Sequence, residues 1–241
     1  MAVSFSPVHA PFRPFANAGI WLATELPAPP ANLVLKKIAI GHGIQNYSCT
    51  ADLTKPADAK GALAVLYDVT SLYPGNPKGL SQAAFEALTT TVLWTQPIPL
   101  NLVNPQAAKP GVVLASKEYA ATSKPFKAPA DIKVGNTPPL KFLGRHYFDG
   151  SGTPTFDLSE AKLRAGVGKT GEANVPANAD KGPLKTGAVK WLQLSDTGLG
   201  LSKGVTVVYR VITAGGVAES CTTTNGGTGS VPYTAFYWFY G

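Results

Sequence analysis

The chain has 241 residues and a formal charge of +7; only 15% of its residues are charged, 44% are hydrophobic, and it holds 25 glycines and 21 prolines. That mix excludes a charge-rich disordered chain, a coiled coil and a collagen. No apolar run approaches the 18 or more residues of a membrane helix, so no membrane span is expected. What fits is a mainly β fold of short strands joined by Gly/Pro turns.

In chain order, residues 1–32 are rich in proline and aromatics (Phe12, Pro14, Phe15, Trp21, Pro27, Pro29, Pro30) and read as an extended arm; residues 33–241 read as one β-rich domain. Met1–Pro7 has neither the basic nor the apolar region of a signal peptide. Leu33–Ile40 and Ile44–Thr50 suggest a hairpin about Gly41-His42-Gly43, and Ala62–Val69 a buried strand. Leu80–Leu88, with Ser81 as N-cap, is the best helix. Residues 96–140, with eight prolines, read as loop with brief strands. Lys141–Phe148 is a strand before the turn Asp149-Gly150-Ser151-Gly152, and Asp157 and Glu160 suggest a short helix through Arg164. Residues 166–187 read as a Gly/Lys/Asn/Pro loop. Val189–Ser195, Val205–Thr213 and Val231–Tyr240 are strands. The last carries aromatics on both faces, which points to burial on both sides. The expected fold is a single-domain antiparallel β-sandwich or distorted barrel with one or two short helices.

The positive charge is regional. Seven basic residues from Pro105 to Arg145 face only Glu118 and Asp131, and six from Lys162 to Lys190 face only Glu172 and Asp180. Such fields attract a polysaccharide or another anionic or polar polymer. The lysines stand singly among Pro, Ala and Gly without a nucleic-acid motif, so no nucleic-acid partner is expected; the oligomeric state stays open. Cys49 and Cys221 are the two cysteines. Neither lies in a CxxC pair, and no His/Cys cluster has zinc spacing. They read either as one bridge of an exported protein, the favoured view, or as two buried thiols. Asn46-Tyr47-Ser48 is a candidate glycosylation sequon. The expected location is extracellular, the signal peptide lying outside this sequence.

Four segments together are similar to one known family: Gly41-His42-Gly43-Ile44-Gln45-Asn46-Tyr47-Ser48-Cys49; Gly144-Arg145-His146-Tyr147-Phe148; Val189-Lys190-Trp191-Leu192-Gln193-Leu194; and the stretch from Val205 through Cys221 to Tyr240. Over roughly residues 30–240 the chain resembles the exported fungal and bacterial family of the domain of unknown function 3455. The resemblance implies an exported, β-rich single domain with Cys49 paired to Cys221. Some members carry a malate dehydrogenase label, which this sequence does not support. A dinucleotide site needs a strand, a Gly-rich turn and a helix whose N–H groups meet the pyrophosphate. Gly198–Gly204 has the wrong spacing and runs into a strand; at Gly168-Lys169-Thr170 the first glycine of a phosphate loop is replaced by Leu163. No cofactor and no metal are expected.

For chemistry, His42 and His146 are the candidates, with Gln45, Tyr47 and Tyr147 beside them. If their strands pair, the imidazoles and phenols line one pocket, and with Asp149 they resemble a metal or general-base site. The plainer reading, an imidazole bonding a backbone carbonyl beside a glycine, weighs more. No Gly-x-Ser-x-Gly elbow occurs, and Asp149, Asp157 and Glu160 read as solvated rather than as a glycosidase pair. Sugars stack on aromatic faces, which Trp21, Tyr47, Tyr147, Trp191 and Tyr233 supply if they are exposed. The favoured function is therefore an exported, non-catalytic binding protein acting at cell-wall polysaccharide. The alternatives are a hydrolytic or metal-dependent enzyme using His42 and His146, and a secreted structural or host-interaction protein.

Overall fold

The computed structural model describes residues 26–241; most of the arm expected over 1–32, with His9 and Trp21, lies outside the described residues. Ten strands follow in order: β1 (Leu35–Ser48), β2 (Asp58–Asp68), β3 (Leu100–Leu102), β4 (Ala121–Phe126), β5 (Lys141–Phe148), β6 (Pro154–Leu158), β7 (Leu163–Ala173), β8 (Trp191–Asp196), β9 (Val207–Gly215) and β10 (Thr228–Tyr240). Eight of them close an antiparallel barrel in the order β1-β10-β9-β8-β7-β6-β5-β2, and β3 and β4 form a separate two-stranded sheet. Closure joins the first and last strands, with Leu35 opposite Tyr240. Val34 and Gly241 continue the ladder by exchanging backbone hydrogen bonds of 3.2 and 3.1 Å. Of the two expected architectures, the chain adopts the barrel.

Period-two alternation divides the wall into two faces. The inner face is a core drawn from all eight barrel strands, with Leu66, Leu143, Phe156, Leu158, Val167, Leu194, Val208 and Tyr237 among its members. A second core lies outside, where Ile40, Tyr67, Tyr209, Phe236 and Trp238 are covered by the helices and the 98–140 segment. Strand β10 is therefore buried on both faces, as its aromatic run predicts. Phe85 stacks on Phe236 at 4.5 Å outside, while Phe156 packs against Tyr237 at 4.9 Å inside.

The helix expected near Leu80 forms as α1 (Gln82–Glu86), followed at once by α2 (Leu88–Thr95). Ser81 caps α1 by accepting from Ala84 N–H at 3.3 Å, so an orphan amide of the first turn is satisfied. The Thr234 hydroxyl donates to Thr89 C=O at 2.7 Å and fastens α2 to the barrel. A third helix, α3 (Cys221–Thr224), carries one half of the disulfide.

Three local expectations change. Strand β1 runs unbroken through Gly41-His42-Gly43, with no hairpin there. These glycines are on the inner face: a Cβ at Gly41 would stand 2.5 Å from the Tyr237 ring, and one at Gly43 would strike the Leu63 backbone oxygen. They permit close approach rather than a turn. Residues 166–173 of the loop expected over 166–187 belong instead to β7, where a Cβ at Gly166 would likewise meet Leu201 at 2.6 Å. Asp157 lies in β6, and only a 3-10 turn (Ser159–Ala161) stands where the helix over 157–164 was expected.

Candidate functional site

The two histidines are set by the parity of β1 and β5. His42 is opposite Val65 on β2, and His146 is opposite Ala64. Val65 belongs to the outer core and Ala64 to the inner one. Adjacent strand residues point to opposite faces, so the barrel wall separates the imidazoles. They share no pocket.

His42 is buried outside, its ring nitrogens 3.4 Å from Tyr233 C=O and from Gln96 C=O just past α2. A neutral imidazole has one N–H, so it donates to only one of these carbonyls at a time. His146 is buried inside, stacked on Phe156 at 4.0 Å with its Nδ1 2.9 Å from Thr155 C=O. Burial lowers both from 6.5 to about 4, outweighing the carbonyl contacts that favour the proton. At neutral pH both are uncharged packing groups, and neither reaches solvent as a base.

The other candidates divide between the same faces. Gln45 and Tyr47 follow Gly43 on the inner face. The Tyr47 hydroxyl donates to Gly216 C=O at 2.6 Å, and Gln45 is buried with no hydrogen-bond partner for its Nε2. Tyr147 is half-buried on the outer face, edge-on to Phe126. Trp191 and Tyr233 are buried, so neither offers an open stacking face. Asn46 is half-buried within paired β1, where its side-chain oxygen accepts from Ser230 at 2.8 Å. Asp149 closes its own turn by accepting from Ser151 and Thr153 amides. Among the described residues, no three His, Cys, Asp or Glu side chains gather as metal ligands.

Cys49, just past β1, is bonded to Cys221 at the start of α3 with Cα atoms 5.6 Å apart. The bridge ties the end of β1 to the turn that leads into β10.

A hollow of about 350 Å³ lies near this bridge, lined by Ser116, Lys117, Glu219 and Thr223, and larger concave surface lies at the opposite end of the barrel, where β1 starts and β2 ends. Two adjoining hollows of about 540 and 510 Å³ share Lys37, Asp68 and Lys141. Lys37 pairs with Asp68 at 2.7 Å, and Lys141 with Asp131 at 2.7 Å. Burial pushes the Asp68 carboxyl up, but Lys37 and the Thr70 hydroxyl and amide outweigh it and hold the group below the usual carboxylate range. Lys141 and the Phe142 amide hold Asp131 low as well. Both acids are thus ionised and ill suited to act as general acids, which need a raised pKa. Thr70, Ser71, Asn76 and Lys78 add polar groups, while Pro77 and Pro138 supply apolar floor.

A family model described as "Protein of unknown function (DUF3455)" matches residues 29–241. The chain belongs to this family. No curated protein and no solved structure matches it. The DUF3455 match spans the whole barrel, so the segments that carried the resemblance are placed together: β1 and β10 pair side by side, β8 and β9 likewise, and β5 closes the wall through β2. No described helix in this DUF3455 chain is long and apolar enough to cross a membrane.

The groove was missed from sequence, because its residues come from separate turns with no shared motif.

Proposed function

We propose that this protein is an exported, non-catalytic binding protein for cell-wall polysaccharide, with the polymer lying along the two adjoining hollows beside β1, β2 and β5. The observation that carries the reading is the groove itself: it is the size of a ligand site and combines hydroxyl, amide, ammonium and carboxylate groups with proline surface. Sugar C–H faces suit the proline floor, and ring hydroxyls suit Thr70, Ser71, Asn76 and the two ion pairs. The ionised state of Asp68 and Asp131 and the burial of both histidines favour binding over hydrolysis. The disulfide supports export, since such bonds persist in oxidising compartments.

The test is retention of the purified protein on insoluble chitin, β-glucan and pectin at low and high salt. The expected result is retention on one polymer that survives high salt and falls at least fivefold in Lys78→Ala/Lys141→Ala. No retention on any polymer at low salt refutes the reading, and retention abolished by salt reduces it to surface charge.

A further inference from the structure

We infer that the polymer taken by the groove is uncharged and that the Lys37–Asp68 and Lys141–Asp131 pairs recognise its hydroxyls; this rests on the polysaccharide reading and narrows it. Three lysines (Lys37, Lys78, Lys141) and three acids (Asp68, Asp131, Glu160) line the two hollows. Their formal charge is zero, so the +7 of the protein is carried elsewhere. Of the seven basic residues between Pro105 and Arg145, only Lys141 lines the groove, and Asp131 answers it at 2.7 Å. None of the six from Lys162 to Lys190 does. The basic segments that attract an anionic polymer therefore bypass the concave surface.

The two pairs are built alike. Lys37 Nζ is 2.7 Å from Asp68 Oδ2, while the Thr70 amide donates to Asp68 Oδ1 at 2.9 Å; the Thr70 hydroxyl donates to the same carboxylate. Lys141 Nζ is 2.7 Å from Asp131 Oδ2, while the Phe142 amide donates to Asp131 Oδ1 at 2.9 Å. Each carboxylate is thus oriented by a backbone amide as well as by its lysine. An ammonium has three N–H donors and a carboxylate about four acceptor positions, so each pair leaves a donor and an acceptor side by side. A hydroxyl matches that combination, since it gives one hydrogen and accepts on its lone pairs. A carboxylate or sulfate unit only accepts and faces repulsion from Asp68 and Asp131; an ammonium unit only donates and is repelled by Lys37 and Lys141. Like charges brought together cost affinity, and an uncharged sugar meets no such penalty. Lys78 in the larger hollow and Glu160 in the smaller are opposite in sign, so a uniformly charged polymer lying across both gains at one and loses at the other.

The surroundings suit the same ligand. The Lys37 and Asp68 side chains are only 32% and 23% exposed; partial burial holds the pair in place before a ligand arrives and strengthens the hydrogen bonds made there. Exposed Pro77, Pro138 and Pro139 flank one hollow and exposed Pro129 the other. Their rigid rings present apolar surface to a sugar C–H face without adding charge. The hollows share Lys37, Asp68 and Lys141, so a polymer that fills both passes across the two pairs.

The test measures binding of the full protein, by calorimetry at low and high salt, to soluble β-glucan, chitin oligomers, polygalacturonate and chitosan. Expected is binding of β-glucan or chitin oligomers that changes less than about twofold with salt, and that at high salt is at least tenfold tighter than binding of either charged polymer. In Asp131→Asn, which leaves Lys141 unanswered, the uncharged polymer is expected to bind at least fivefold more weakly, and polygalacturonate to gain affinity that salt removes. Wild-type binding of polygalacturonate or chitosan as tight as that of the uncharged polymers at high salt overturns the inference and leaves the polysaccharide reading standing. Unchanged affinity for the uncharged polymer in Asp131→Asn overturns it equally. Should that variant fail to fold, Glu160→Gln, in the exposed turn after β6, takes its place: a gain in polygalacturonate affinity at low salt is expected, and no gain overturns the charge balance. Binding of none of the four polymers is the failure of the polysaccharide reading itself, and the inference falls with it.

Discussion

Lowering the pH from 7 to 5 is expected to destabilise the protein by about 4 kcal/mol, because two histidines are folded into places that admit them only uncharged. In the unfolded chain each imidazole takes its proton near 6.5, whereas in the barrel His42 and His146 hold out until about 4. Between those values the unfolded state binds more protons, so stability falls as the pH falls and is fully present only above 6.5. At 1.36 kcal/mol per unit the full gap is worth about 3 kcal/mol for each histidine, of which about 2 kcal/mol is lost by pH 5. Carboxylates with lowered values, such as Asp68, contribute mainly below pH 5 and with the same sign. The assay is urea unfolding at half-unit pH steps for the wild type, His42→Gln and His146→Gln. Each substitution removes about half of the pH dependence, whatever it does to stability at pH 7. A wild-type unfolding free energy that changes by less than about 1 kcal/mol between pH 7 and 5 refutes the reasoning, since it means a buried imidazole accepts a proton without opening the barrel.

Two other perturbations follow from packing and connectivity. Breaking the Cys49–Cys221 bridge releases a loop of 172 residues, which loop-closure entropy values at up to about 5 kcal/mol; at about 2–4 °C per kcal/mol for a chain of this size, Cys49→Ser/Cys221→Ser is expected to melt about 10 °C or more below the oxidised protein, and a shift under about 3 °C contradicts this. In Gly41→Ala the new methyl meets the Tyr237 ring at 2.5 Å and Leu66 at 3.3 Å, and with that ring held by Phe156 and His146 the overpacking costs about 1–3 kcal/mol; a calorimetric melting point equal to that of the wild type shows that the inner core yields instead.

The strands with an unambiguous chemical signature were readable in advance. Strand β5 begins and ends where Lys141–Phe148 predicts, β10 is buried on both faces as its aromatics imply, and Ser81 caps the helix it precedes. Strands β1 and β7 were not readable as such, because a glycine that lets two barrel surfaces touch is locally identical to a glycine that lets a chain turn. Gly41 and Gly166 are of the first kind, and only the tertiary neighbour reveals it. The site suffered from a different blindness. His42 and His146 are near one another along the sheet, yet a single residue of parity sends them to opposite sides of the wall. Parity cannot be counted across bulges such as those between Asn46 and Tyr47 or between Leu66 and Tyr67 without the register. The groove is assembled from Lys37, Asp68 and Lys141, brought together by β1–β2 and β2–β5 pairing over intervals of about 30 and 70 residues.

The seam between β1 and β10 also governs when the protein exists as a folded object. The strand made first among those of the barrel waits for the one made last, so a growing chain has an unpaired edge and half an inner core until Thr228–Tyr240 is synthesised. Contacts of such long range form slowly. Under the proposed export this delay is an asset: a chain that is still unclosed can be threaded through a narrow passage, and the wall and the disulfide then form together once Thr228–Tyr240 has followed.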